Sequence, residues 1–395
     1  MKKRIFSLEL IVIPALGLFL LLLSCLLGSW RFFTENFFKT FADLFMDFFN
    51  SIRDAAKFDV YSTYHVIYTP LVTLYFMFCS FFIPENALDH SVKNLIMQQQ
   101  VMSYVSIFIF FAITLVLLYV SMKHLLKKQS KAQLIFLYCL VVFSFPFLYT
   151  MERGNTLLLT FVLIVFFYAF YGSKKKYQHE LAVLALALAT VIKLYPVIFI
   201  LLLFKKKAWK DITKYGIFTT ILLFVPFIFY GGLEGLYIII TSAFGLFGEQ
   251  LQFFSNIFLV LYYGFGTSLV VAKAVNYFVI LLLLINFFIV KREYQEYTVL
   301  TIILMCISPG TEPYTSIFFL ASILLLVKEE RRGYLEIIYM ANLLLLLTFN
   351  PITWSLNIAT FFYMLVFYVL HLVVIPIPII KNKILTLKNK GGGQQ

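Results

Sequence analysis

Charge is what this sequence has least of. Only 13% of its residues are Asp, Glu, Lys or Arg, where a soluble domain typically carries about a quarter. A chain that is 62% hydrophobic cannot clothe a soluble core with what remains. Cysteine is equally scarce. Cys25, Cys79, Cys139 and Cys306 stand singly inside apolar runs, which excludes a disulfide framework and a thiolate zinc site. The histidines, His65, His90, His124, His179 and His371, are scattered without metal-ligand spacing. No glycine-rich nucleotide loop and no nucleophile elbow is present. These absences leave no metal ligand set and no cofactor to expect.

Basic residues are the exception to the shortage. Lys and Arg number 32 against 19 Asp and Glu, an excess that in a soluble protein would suggest nucleic acid. Here they fall in short clusters between apolar runs: Lys2–Arg4, Lys123–Lys131, Lys174–Lys176, Lys205–Lys214, Lys291–Arg292, Lys328–Arg332 and Lys381–Lys390. That is the pattern of cytoplasmic loops, so membrane lipid rather than nucleic acid is the expected partner. Apolar runs of about 20 residues, enough to span a bilayer, recur from Leu10–Leu27 onward. The first is too long and too weakly terminated for a signal peptide. The sequence predicts an all-α polytopic membrane protein with about 10–13 membrane helices. Residues 1–390 form one domain, and 391–395 a flexible tail or cloning remnant.

Threading the chain with its basic clusters inside leaves two stretches too short for two crossings. Leu181–Phe204 is interrupted by Lys193-Leu194-Tyr195-Pro196, and Thr298–Val327 by Ser308-Pro309-Gly310-Thr311-Glu312-Pro313-Tyr314. Each is expected to be a pair of short helices meeting part-way across. Broken backbone at membrane depth survives only beside protein or a water-filled cavity. The N-terminal third leaves two options: either Tyr64–Ile83 is re-entrant, or the cluster Lys123–Lys131 breaks the charge rule.

Between the first span and Tyr64, polar residues at Asn36, Lys39, Thr40, Asp43, Asp47, Asn50, Ser51 and Asp54 repeat in steps of three and four. They share one helical face opposite Phe37, Phe38, Phe41, Leu44, Phe45, Phe48 and Phe49. The pattern predicts an amphipathic helix lying in the outer interface of this first outer loop, residues 31–63. Its acids either solvate that face or do chemistry, and Asp59 is a third acid nearby. Lys193 lies in the middle of an apolar stretch, where an unpaired lysine costs roughly 3 kcal/mol. Snorkelling is the bland reading, but the Tyr195-Pro196 break beside it favours a functional cation. Glu152-Arg153-Gly154-Asn155 places an acid, a planar cation suited to phosphate and an amide at one outer turn. An internal Glu152–Arg153 tether is the alternative. Glu312 sits at the second break, flanked by Pro309 and Pro313.

Taken in order, these pieces resemble the C-superfamily of membrane glycosyltransferases. They are Phe45-Met46-Asp47-Phe48-Phe49-Asn50, Ile67-Tyr68-Thr69-Pro70-Leu71, Met151–Asn155 and Ala189-Thr190-Val191-Ile192-Lys193-Leu194-Tyr195-Pro196, with Ser308–Tyr314 a weaker match. The nearest likeness is to the polyprenol-phosphate-mannose-dependent mannosyltransferases and bacterial relatives in surface-polysaccharide assembly. The resemblance implies a GT-C fold in a bacterial plasma membrane. It also implies a polyprenyl-phosphate sugar donor, a glycan or glycolipid acceptor and a cavity facing the extracytoplasmic side. Asp47 is carried over as general base for inverting single displacement, with Asp59 as runner-up because some relatives use an Asp-Phe-x-Val-Tyr-like segment. Arg153 and Lys193 would bind the donor phosphate; Asp43, Glu152, Asn155, Tyr195, Glu312 and Tyr314 would position substrate. The competing class is a transporter or flippase of lipid-linked glycans, which broken helices and intramembrane charge also suit. Against it, the two breaks share no motif.

Overall fold

In an apolar surround each backbone N–H and C=O must be bonded within the chain, and a helix does this locally. The structure, a computed structural model, describes residues 45–56, 68–85, 88, 101–230, 234, 237, 261–262, 265–307, 313–329, 333–348 and 365–379. Among the described residues every regular element is helical: the protein is an all-α polytopic membrane protein. Helices α1 (Met46–Ala55) and α2 (Pro70–Ser80) precede α3 (Val101–Leu125). Then come α4 (Lys131–Val142), α5 (Phe145–Arg153), α6 (Leu157–Phe170) and α7 (Lys176–Ile192). A 3-10 turn, Tyr195–Ile200, leads to α8 (Leu201–Lys205), and α9 (Trp209–Phe224) ends in a second 3-10 turn, Val225–Phe229. The C-terminal part holds α10 (Leu269–Ile289), α11 (Glu293–Ile307), a third 3-10 turn, Pro313–Phe318, and α12 (Phe319–Lys328). It closes with α13 (Tyr334–Thr348) and α14 (Leu365–Ile379).

Helix α3, α9 with its 3-10 extension, and α10 are each long and apolar enough to cross a membrane; α4 and α5, bent by 54° at a short break, are together long and apolar enough for a broken span or a re-entrant loop. Inside them, α11 and α12 are buried along nearly their whole length. Lipid is as apolar as leucine, so helices associate there through close packing and hydrogen bonds. Ala182, Ala185 and Ala189 supply the first on α7, and all are buried against neighbours. The Tyr215 hydroxyl donates to Thr190 Oγ1 at 2.8 Å between α9 and α7. Thr298 donates to Ser322 at 3.0 Å between α11 and α12.

Ion pairs define one end of the molecule. Lys205 meets Glu296 at 2.8 Å, Lys214 meets Glu180 at 2.5 Å and Lys328 meets Glu293 at 2.6 Å, while Arg292 pairs with Glu336. The clusters of α7, α8, α9, α11 and α12 thus gather at one basic end. His124, at the end of α3, stacks on Phe170 with centroids 4.2 Å apart. That contact puts Lys123–Lys131 at the basic end too, so the cluster obeys the charge rule. The described part of Tyr64–Ile83 is α2 and the short turn after it. The eleven residues of α2 reach about 16 Å, short of a crossing. Both of its ends also neighbour residues remote from the basic end. Thr69 bonds the carbonyl of Val191, and Met77 meets the Tyr230 hydroxyl beyond α9.

The first expected break is present. Lys193 leaves the helix in an extended conformation (φ −140°, ψ 119°), and Pro196, lacking an N–H, restarts the chain as a 3-10 turn. The second expected break, Ser308–Glu312, lies outside the described residues, which end at Ile307 of α11 and resume at the turn Pro313–Phe318. Though the flanking sequences share no motif, both stretches contain a six-residue 3-10 turn that runs directly into a helix. The two turns touch, with the rings of Tyr195 and Phe199 at 6.3 and 6.4 Å from Phe318.

The positive-inside rule gives an expected orientation. In a variant lacking the native cysteines, Val101→Cys, 73% exposed at the start of α3, should react with an impermeant thiol reagent in intact cells. Lys206→Cys should react only after permeabilisation. The reverse pattern would invert the protein in the membrane.

Candidate functional site

The site is assembled around the turn Glu152-Arg153-Gly154-Asn155, at the end of α5 remote from the basic cluster. Gly154 closes α5 in the left-handed region (φ 63°), its N–H bonding back to Met151 and Thr150, a common glycine helix stop. A side chain there would also collide: a Cβ would lie 2.8 Å from Phe48 Cβ and 2.9 Å from Ile107 Cδ1. Glycine is therefore what lets α1 approach this turn. The residue preceding α1, Phe45, is itself left-handed (φ 59°) and donates its N–H to the Glu152 carbonyl at 2.7 Å.

The amphipathic helix predicted for the first loop is thus present from Met46, and what covers its apolar face is protein. Phe48, Phe49 and Ile52 are fully buried, Phe48 packing edge-on to Phe76 at 5.1 Å and against Phe110 at 5.6 Å. This docking turns Asp47 toward the α5–α6 turn. Its Oδ1 accepts from Arg153 Nη2 at 2.5 Å and its Oδ2 from Asn155 Nδ2 at 2.7 Å. The amide of Asn155 is held in turn, because its Oδ1 accepts the N–H of Leu157 at 3.0 Å. Arg153 therefore reaches across to Asp47, a partner the sequence reading, which weighed phosphate capture against a local tether to Glu152, had not named. Glu152 is 3% exposed and lends its carbonyl to Phe45.

A second half is built by the break after α7. Thr69 Oγ1 donates to the Val191 carbonyl at 2.5 Å, fixing the start of α2 against the end of α7. Beside it, the Lys193 ammonium lies over the Tyr68 ring, 4.4 Å from its centroid. The phenol of Tyr68 points back to α1, where Ser51 is its hydrogen-bond neighbour and the Asp47 carboxylate is close. Burial first and that carboxylate second hold the phenol well above its ordinary pKa, so it stays protonated. Tyr195, in the first turn after Lys193, contacts Phe318. Asp47, Tyr68, Arg153, Asn155, Lys193 and Tyr195 thus converge from four separate chain segments. Asp43, Asp59 and Glu312 lie outside the described residues, as does the side chain of Tyr314.

Sequence reading placed two further residues, Tyr68 and Asp54, near the site without assigning them to it. Tyr68 sits in the quoted Tyr68-Thr69-Pro70 motif, and a motif that opens a helix beside a lysine break was the available signal. Asp54 lies two turns along α1 from Asp47, on the same face. Burial pushes its carboxyl up to about 6, against the opposing pull of Arg53. A carboxyl raised from 3.8 to about 6 on folding corresponds to about 3 kcal/mol, by linkage. That stability is fully present below pH 4 and lost as pH rises through 6. Asp54→Asn should therefore raise the melting temperature at pH 7.5, and the gain should vanish at pH 4. An unchanged melting temperature at pH 7.5 would contradict the burial of this acid.

Among the described residues no three His, Cys, Asp or Glu side chains come together as metal ligands. What the cluster offers instead is a carboxylate beside two cations at the margin of an apolar bundle. Cations in that position suit an anionic head group on a lipid-soluble molecule. Comparison with known proteins gives a family match: the sequence model described as Glycosyltransferase family 87 covers residues 67–309, more than half of the chain. No curated protein and no solved structure matches. The matched stretch contains Tyr68, Arg153, Asn155, Lys193 and Tyr195, and begins after both Asp47 and Asp59.

Proposed function

The chain belongs to glycosyltransferase family 87, and from that premise we propose that it takes its sugar from a polyprenyl-phosphate donor on the extracytoplasmic face. The acceptor is a glycan or glycolipid. The observation that carries this reading is the meeting of Asp47 with Arg153, and of Tyr68 with Lys193, at the end of the bundle away from the basic clusters. A polyprenyl donor keeps its tail in lipid and brings only its phosphate and sugar to that margin. Arg153 presents five N–H donors, so it can hold Asp47 and a phosphate oxygen together. Lys193 adds a compact second charge.

The chemistry is then a single displacement with inversion. The acceptor oxygen attacks the anomeric carbon while the bond from that carbon to the phosphate oxygen breaks, its electron pair leaving with the polyprenyl phosphate. Asp47 takes the acceptor's proton. Each of its oxygens has a further lone pair beyond the bond from Arg153 or Asn155. The two cations offset negative charge growing on the leaving phosphate.

Purified protein incubated with synthetic polyprenyl-phosphate sugars should release polyprenyl phosphate. The mannosyltransferase resemblance makes the mannose donor the first to try. Transfer from nucleotide sugars, with every lipid-phosphate sugar inert, would overturn the donor class.

A further inference from the structure

We infer that Tyr68 is a positioning residue for the donor phosphate: its ring holds the Lys193 ammonium in place before the donor arrives. This rests on the donor class proposed above. Lysine is a point charge on a long flexible stem, and ordering such a stem at the moment of binding weakens affinity unless it is already ordered. An aromatic face attracts a cation within about 6 Å of the centroid, and Lys193 lies at 4.4 Å. A ring, unlike a carboxylate, adds no opposing formal charge, so the phosphate still meets a cation.

The ring is itself well fixed. Thr69 is extended (φ −66°, ψ 155°) ahead of Pro70, as a residue before proline prefers, and its hydroxyl is tied to Val191. At its other end the phenol has Ser51 and Asp47 of α1 as neighbours. Tyr68 thus joins the two halves of the site, with one end on the carboxylate helix and its face under the lysine. The ring, rather than the hydroxyl, is the part that acts on Lys193.

The test replaces Tyr68 by phenylalanine and by mono-, di- and trifluorophenylalanine, which keep ring shape while weakening the ring's negative face. Two quantities are read: Kd for a synthetic polyprenyl phosphate, and donor KM and kcat where turnover is found. Tyr68→Phe should stay near wild type. Kd and KM should then climb stepwise with fluorination, by roughly 3- to 30-fold in all, with kcat changing less. In a Lys193→Ala background the series should be flat, since coupled residues are not additive. Binding that is insensitive to fluorination, or equally sensitive without Lys193, would overturn the positioning role alone. Wild-type protein that neither binds polyprenyl phosphate nor uses any lipid-phosphate donor would overturn the donor class and this role with it.

Discussion

Asp47→Asn should lower sugar transfer by about 10²–10⁴-fold, the usual contribution of a general base, in protein that still folds and still binds polyprenyl phosphate. Asparagine keeps the shape and one acceptor oxygen but cannot take a proton from the acceptor hydroxyl. The substitution also removes the carboxylate from Arg153, a partly buried pair at 2.5 Å with side chains 16% and 25% exposed. Some loss of stability accompanies it, on the order of 1–3 kcal/mol. Arg153→Ala breaks the same pair from the other side and so separates the two effects. It should raise donor KM more than it lowers kcat, because the base remains. Equal collapse of kcat in both variants would mean that the pair, and not proton transfer, is what matters at Asp47. Asp43→Asn should be milder. Near-normal transfer by Asp47→Asn, with collapse in Asp59→Asn, would move the base to Asp59 and leave Asp47 to orient Arg153.

Gly154→Ala should be among the most damaging single changes outside the reacting groups. The left-handed backbone costs a non-glycine residue roughly 1–2 kcal/mol. The added methyl would meet Phe48 Cβ at 2.8 Å and Ile107 Cδ1 at 2.9 Å. Both neighbours are 0% exposed and have little room to yield, so overpacking adds roughly 1–3 kcal/mol. Since α1 is what the methyl displaces, Asp47 should leave Arg153, and melting temperature and transfer should fall together. Gly172→Ala is the control, because its Cβ would find nothing within 4 Å. A Gly154→Ala protein that melts and transfers as wild type would show that the close approach of α1 is not needed.

The helices α1, α7 and α11 show how far local pattern reaches. The three-and-four spacing of Asp47, Asn50, Ser51 and Asp54 specified an amphipathic helix, because each residue in a helix advances by a fixed angle. That angle says nothing about whether lipid or protein covers the other face. Phe48 and Phe49 read equally well against acyl chains, and only the arrival of α2 and α3 decided for protein. At Lys193 and Pro196 the break was legible because proline lacks an N–H and a lone lysine is costly in lipid. The likeness of the turn after this break to the turn Pro313–Phe318 was not legible, since it is a likeness of backbone path and not of residues.

Two features were set by the sequence alone. Its dearth of charge and its runs of apolar residues require helices in a bilayer, because nothing else satisfies the backbone there. Its clusters of lysine mark one end of the bundle, because charge avoids the hydrocarbon. The site is different in kind. Asp47 meets Arg153 across a gap of 106 residues, and Tyr68 meets Lys193 from a different chain segment. Such contacts leave no periodic trace in the chain, since they depend on how closely helices approach. That approach is decided at Gly154 by a side chain that is not there.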